Sequence, residues 1–184
     1  MVKSEPWYIH AGLYTIIVVL IIVLIKVAII DPKEVVNEDK FNRKESRLRM
    51  QNLKEAEILY QKKFGKFSGD INTLVDFIKN DPMIDSVMAA VDSVSKKSSN
   101  PFISLSNGEF APDSLYKTPK SQQRYIVEID TSLSVDTVVN RTGKILRVDS
   151  TIVIGGRYYI EDPDGYGTVG SLDNDALKNT ASWE

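Results

Sequence analysis

Four aspartates near the C-terminus, Asp162, Asp164, Asp173 and Asp175, are the side chains of this sequence best suited by type to hold a ligand. A hard cation such as Ca²⁺ takes six to eight oxygens, and glycine lets backbone carbonyls turn inward to complete the shell. The four acids, helped by Asn174, could supply such a shell if the tail curls back on itself, which makes calcium the candidate cofactor. Their spacing is not that of an EF-hand, which needs a bidentate Glu at its twelfth position. The competing reading is solvated turn acids, since Asp162-Pro163-Asp164-Gly165 suits a type I turn. Overlapping these acids, Gly165-Tyr166-Gly167-Thr168-Val169-Gly170 matches the dinucleotide pattern G-x-G-x-x-G. That pattern works only between a parallel strand and a helix, and the fourteen residues left after it hold no second strand or ribose-binding acid. A glycine-rich surface turn is the better reading.

Other chemistry is limited by what the sequence lacks. With no cysteine, thiolate zinc sites, iron–sulfur clusters and disulfides are excluded. A single histidine, His10, leaves almost nothing for imidazole metal sites or Ser-His-Asp catalysis. No paired carboxylates lie in an apolar context that would raise one of them for acid–base work, so a catalytic role is not expected. The charge balance, 23 Lys and Arg against 25 Asp and Glu, argues against a nucleic-acid binder running on bulk positive charge. Asn140-Arg141-Thr142 is a glycosylation sequon that matters only in a eukaryotic secretory route. Tyr158 and Tyr159 read as cross-strand packing, and Trp183 reads as packing on the sheet or on a partner.

The elements that position these residues begin with grease. Ile9 to Ile30 is almost continuously apolar, Leu13 to Ile25 has no charge, and at about 1.5 Å per residue the stretch covers a roughly 30 Å hydrocarbon core. Trp7 and Tyr8 suit the interface, Lys26 can snorkel from one turn inside the far end, and Asp31-Pro32 is expected to end the helix. The apolar run exceeds a signal-peptide h-region and no small-x-small site follows it, so an uncleaved signal anchor is expected, preceded by a short tail at 1–8. Lys33, Lys40, Arg43, Lys44, Arg47 and Arg49 after the span favour, by count, a cytoplasmic C-terminal part.

Residues 31–184 hold 21 basic and 24 acidic side chains and suffice for one domain. Glu34 to Phe64 is rich in helix formers, with Asp39/Arg43 and Glu45/Arg49 as i,i+4 pairs. Apolar residues are sparse until Leu48; then Leu53, Ala56, Tyr60 and Phe64 form a stripe flanked by Met50 and Leu59. A solvated stalk whose second half docks onto the domain is therefore expected over 31–64, stopped by Gly65. Asp70 can cap a helix with Ile71, Leu74, Val75 and Ile78 on its inner face, broken at Asn80-Asp81-Pro82, and a second short helix runs from Met83 to about Val94. A long loop follows, with a short strand around Phe102–Leu105. Beyond it the period becomes two. Tyr125, Val127 and Ile129 alternate, Leu133, Val135, Thr137 and Val139 continue after a turn, Arg141-Thr142-Gly143 closes a hairpin, and Lys144 to Ile154 returns. Gly155-Gly156 is expected to turn the chain again, with Arg157 to Ile160 pairing back. The expected fold class is thus α+β: a transmembrane helix at 9–30, the stalk at 31–64, a domain at 65–160 with short helices and an antiparallel β-meander, and an acidic, Gly-rich tail at 161–184.

This layout resembles type IV pilins and the major pseudopilins of type II secretion. The likeness rests on Ala56 and Tyr60 ahead of the Gly65-Lys66-Phe67 turn, on the helix with Leu74, and on the antiparallel sheet. It also rests on a C-terminal Asp-Gly-rich segment closed by a Trp, carried here by Asp164-Gly165, Asp173, Asp175 and Trp183. The likeness departs at the processing site, where Gly12 is followed by Leu13-Tyr14-Thr15-Ile16-Ile17 and Ile17 stands at the family's Glu. The chain is also similar to uncharacterised single-pass envelope proteins of Bacteroidota-type bacteria. The resemblance implies a non-enzymatic assembly component in a bacterial inner membrane, its C-terminal domain periplasmic against the basic-residue count. Its expected partners are the lipid bilayer and other envelope proteins or further copies of itself, not nucleic acid. The alternative is a membrane-tethered ligand- or metal-binding sensor domain.

Overall fold

The structure is a computed structural model that describes residues 7–91, 96 and 98–184, without the side chains of 132–136 and 149–151. It is an α+β protein, with two compact units at Met1–Asn42 and Arg43–Glu184. In the first, α1 (Trp7–Ile25) presents exposed apolar side chains all round. The helix it opens, Trp7–Phe64, contains an 18-residue window of mean hydropathy 3.1 and is long and apolar enough to cross a bilayer. Helical geometry does not stop at Asp31-Pro32. Lys26–Ile30 forms a π-helical turn, Asp31 stays helical at φ −57°, ψ −46°, and its N–H donates to the Lys26 carbonyl. Proline lacks a donor and crowds the carbonyl four residues back, and a widened turn just ahead of Pro32 relieves that crowding without breaking the helix. From there α2 runs Asp31–Phe64.

In the second unit, the late part of α2 supplies one wall of the core. Met50, Leu53 and Ala56 are fully buried and Leu59 nearly so, whereas Phe64 at the end of the expected stripe is half exposed. Burial also begins earlier than Leu48, among polar residues: Glu45 and Ser46 are buried, as is Asn52. The positions keep the three-and-four spacing of one helical face, but their side chains are hydrophilic. Gly65 ends the helix at φ +75°, its N–H donating to the Gln61 carbonyl.

Helix α3 (Ile71–Asn80) starts where its cap predicts. The Asp70 carboxylate accepts from the N–H groups of Asn72 and Thr73, and Ile71, Leu74, Val75, Phe77 and Ile78 are buried. Helix α4 (Pro82–Ala89) is capped in the same way by Asp81, which accepts from the Met83 N–H with Pro82 in the first turn. It ends before the expected Val94, which lies outside the described residues. The expected strand around Phe102–Leu105 does not form. The Asn52 side-chain amide instead accepts from the Ile103 N–H at 2.7 Å and donates to the Ile103 carbonyl at 2.9 Å, giving that backbone the two bonds a neighbouring strand would give. A 3₁₀ turn at Pro112–Tyr116 leads toward the sheet.

Strands β1 (Ile126–Val139), β2 (Ile145–Glu161) and β3 (Thr168–Gly170) form an antiparallel sheet in the order β1-β2-β3. β1 is one uninterrupted strand, where two segments separated by a turn were expected. Its hairpin with β2 closes at Arg141-Thr142-Gly143, with Gly143 at φ +80° and the Asn140 carboxamide oxygen accepting from the N–H groups of Thr142 and Lys144. Gly155-Gly156 does not reverse the chain. Ile129 pairs with Tyr158 and Thr131 with Ile154, so β2 carries surplus residues there: a bulge inside a continuous strand. Gly155 sits at φ +71°, its carbonyl accepts from the Phe67 N–H, and a Cβ would stand 2.9 Å from the Phe67 carbonyl oxygen. The expected strand end at this glycine pair is wrong because glycine serves a bulge as well as it serves a turn. Tyr158, Ile160 and Val169 bring the sheet to the core, where Tyr158 packs against Phe67 with ring centroids 4.7 Å apart.

Candidate functional site

The C-terminal acids divide between two places. Asp162, one residue past the end of β2, is buried, and its carboxylate accepts from the Ser46 hydroxyl of α2 and from the Asp164 N–H at 2.7 Å. The Ser46 oxygen also lies 2.9 Å from the Tyr125 hydroxyl, so α2, the residue leading into β1 and the acidic loop meet at one buried trio. Burial raises the Asp162 pKa, with the hydrogen bonds from Ser46 and Asp164 opposing. Tyr125 also moves up, again through burial. Asp164 goes the other way: burial pushes it up, but hydrogen bonds from Thr118 and Ser121 outweigh that and hold it below the usual carboxylate range. Its carboxylate accepts from the Ser121 N–H at 3.1 Å and ties down the 117–124 loop. The hydroxyls of the trio are turned on one another and on the carboxylate, an arrangement that clasps the acidic loop to the helix.

Around this clasp lies a cation–aromatic layer. Arg47 donates through Nε to the Tyr166 carbonyl at 3.2 Å and stands 5.1 Å from the centre of the Trp183 ring. Arg43 and Lys120 stand 5.9 and 5.5 Å from the centre of the Tyr166 ring. Trp183 packs against the core as well, lying close against Gly167. Core packing, one of the two roles its position allowed, is therefore present. The remaining glycines of the G-x-G-x-x-G string serve a turn and the edge of β3, at φ +77° for Gly165 and +83° for Gly170. Among the described residues no dinucleotide-binding strand–helix junction surrounds them.

The second pair of acids sits beyond β3. Asp175 takes the Arg157 guanidinium, with Nε to Oδ1 at 2.7 Å, while the same guanidinium donates to the Leu172 carbonyl at 2.7 Å and lies 3.6 Å from Asp130. The hydrogen bond from Arg157 holds Asp175 below its ordinary value, and the same bond raises Arg157. Asn174, expected as a helper ligand, caps the 3₁₀ turn Asp175–Leu177 by accepting from the Ala176 N–H. Asp173 lines an open recess of about 310 Å³ together with Glu128, Tyr159 and Ser171. Among the described residues no group of three or more His, Cys, Asp or Glu side chains is placed to hold a metal ion.

A further polar group went unforeseen. Glu57 is wholly buried on the core face of α2, with Oε2 accepting from the Ser68 N–H at 2.9 Å and Oε1 without a hydrogen-bond partner among the described residues. Burial pushes its pKa up to about 8, against the Ser68 hydrogen bond, so the carboxyl is mainly protonated at neutral pH. Ser46 and Glu57 are not marked by the sequence because a hydrophilic side chain on a helix ordinarily faces solvent. The available signal is their place one helical turn away from an apolar residue, Ser46 four before Met50 and Glu57 four after Leu53.

The chain matches no protein-family model, no curated protein and no solved structure.

Proposed function

We propose that this chain is a single-pass membrane-anchored structural or assembly protein, a pilin- or pseudopilin-like component of a bacterial envelope or secretion apparatus, with its C-terminal domain on the periplasmic side. The observation that carries this reading is one helical element, Trp7–Phe64, that begins in an exposed apolar segment and ends by contributing Met50, Leu53 and Ala56 to the core of an α+β unit. The antiparallel sheet, and a C-terminal segment fastened to that same helix through Asp162 and Trp183, support it further. The role is positional: the apolar helix would fix the domain at a bilayer, and the surface of the domain would make the contacts. The test is fractionation of the full-length protein with carbonate washing, combined with a periplasm-dependent reporter fused to its C-terminus. Carbonate-resistant membrane association with an active reporter is expected. A freely soluble full-length product, or an inactive reporter with cytoplasmic protease accessibility, overturns the reading.

A further inference from the structure

Of the ten asparagines in the chain, Asn107 alone is followed by glycine. Asn107-Gly108 occupies a tight turn: the Gly108 N–H donates to the Leu105 carbonyl at 2.9 Å, and the Leu105 N–H donates to the Glu109 carbonyl at 3.0 Å. Gly108 takes φ +86°, which suits glycine. Leu105 is buried, whereas residues 106–109 are exposed. The turn is tied to α2 through Ser106, whose N–H donates to Glu45 Oε2 at 3.0 Å.

Attack on a carboxamide by the next backbone nitrogen needs an uncrowded nucleophile, a polarised carbonyl and water. Gly108 has no Cβ beside its nitrogen. The Asn107 Oδ1 accepts from the Glu109 N–H at 3.2 Å, so a donor already faces the atom on which negative charge gathers during attack at Cγ. Exposure supplies the water. Asn140 and Asn174 share the second feature, their Oδ1 atoms accepting from the N–H groups of Thr142 and Ala176 at 2.9 Å, but Arg141 and Asp175 follow them. They isolate what Gly108 adds.

We propose that Asn107 is a self-modification site, at which the Gly108 nitrogen displaces the side-chain amide and water then leaves an acid that loosens the 105–109 turn from α2. The Gly108 nitrogen gives up its proton and bonds to Asn107 Cγ. The Cγ–Nδ2 bond breaks, and the amide group leaves with that proton as ammonia. Water then opens the cyclic imide at either side. Breaking the new N–Cγ bond restores the main chain and leaves aspartate. Breaking the bond to the Asn107 main-chain carbonyl leaves isoaspartate, its chain running through Cβ and Cγ. The Gly108 N–H must first quit the Leu105 carbonyl, so local opening of the exposed turn gates the reaction. Either product sets a carboxylate beside the Ser106 N–H that Glu45 holds, where a neutral amide stood. Isoaspartate also adds a carbon to the main chain within the turn and spoils the spacing of its two backbone bonds.

The test ages the full-length protein, held in detergent, in warm neutral buffer made with heavy-oxygen water, and fragments the tryptic peptide 98–117 by mass spectrometry. One heavy oxygen is expected to enter at Asn107, as aspartate and isoaspartate together, at least about tenfold faster than at Asn140 or Asn174, a barrier difference of about 1.4 kcal/mol. Hydrogen exchange at the Ser106 N–H is expected to be faster in converted chains and in Asn107→Asp than in the fresh parent. Ageing should leave it unchanged in Asn107→Gln, whose longer side chain closes an imide far more slowly. Conversion no faster than at Asn140 and Asn174 overturns the proposal. So does aspartate without isoaspartate, the product of direct hydrolysis, and so does unchanged exchange at Ser106 in converted chains. None of these outcomes bears on where the chain is anchored, so this inference and the membrane reading fail separately.

Discussion

Glu57 shows how far one carboxyl can couple stability to pH. Its ordinary value is 4.5 and burial lifts it to about 8 in the folded chain. Between those two values the unfolded chain has released a proton that the folded chain keeps, so the folded state binds more protons and stability falls as pH rises through that window. Below about 4.5 the contribution is fully present, and above about 8 it is lost. Glu57→Gln keeps an acceptor for the Ser68 N–H and cannot ionise. In chemical denaturation the variant should match the parent near pH 5 and exceed it near pH 8 by on the order of a few kcal/mol. Ser46 allows a second residue-scale forecast. Ser46→Ala withdraws a hydroxyl from the buried Asp162 carboxylate, and stability from the denaturation midpoint should fall by about 1–3 kcal/mol with the slope unchanged. Neither residue announces itself in the sequence. Both sit at helical spacing from Met50 and Leu53, but composition gives a Ser or a Glu on a helix no mark of burial.

Elements were more legible than residues. Asp70 followed by Ile71, Leu74, Val75 and Ile78 is a cap plus an apolar face, and α3 starts and buries those residues accordingly. Asp70→Ala should cost about 1 kcal/mol at neutral pH. Burial pushes the Asp70 carboxyl up, but hydrogen bonds from Thr73 and Asn72 outweigh this and hold it below 3.8. The cap's contribution is therefore present above the unfolded value and lost as pH falls through the folded one, and parent and variant melts should converge in acid. The alternation of β1 and β2 was equally readable, because apolar residues at every second position line one side of a strand and would scatter around a helix. The Gly155-Gly156 pair was not, since the same dipeptide suits a reversal or a bulge and the choice was made by the Phe67 backbone packed against it. Gly155→Ala forces an L-residue to φ +71° and presses a methyl on the Phe67 carbonyl. A loss of about 1–3 kcal/mol is expected, read as a lower melting temperature. The Phe102–Leu105 segment misled for a related reason: its β-like composition is satisfied by the Asn52 side chain instead of by a strand.

At the scale of the whole molecule, fold class and the apolar helix could be read from composition and period, while the closure of the second unit could not. Its tail read as acidic turns or a calcium loop, with Trp183 packed on the sheet or on a partner. In the structure the Gly170 N–H donates to the Thr180 carbonyl, the Ser182 N–H donates to the Thr168 carbonyl, and Val169 bridges Ala181, so the final residues line the outer edge of β3. Ending the chain after Asn179 would strip that edge and remove the Trp183 ring from Arg47 and Gly167. Limited proteolysis should then cut within 158–179 much faster than in the parent. The trio that locks the unit together joins residues 116 apart, and Arg47 reaches Tyr166 across 119. Such distant contacts cannot form piecemeal as a polypeptide is threaded out from its beginning. Until residues 161–184 follow, Asp162, Tyr166 and Trp183 are not there to meet Ser46 and Arg47, and the core lacks Val169 and Ala181. That side of the unit closes late, after the part of the core around Leu74 and Ile78 has its residues in place.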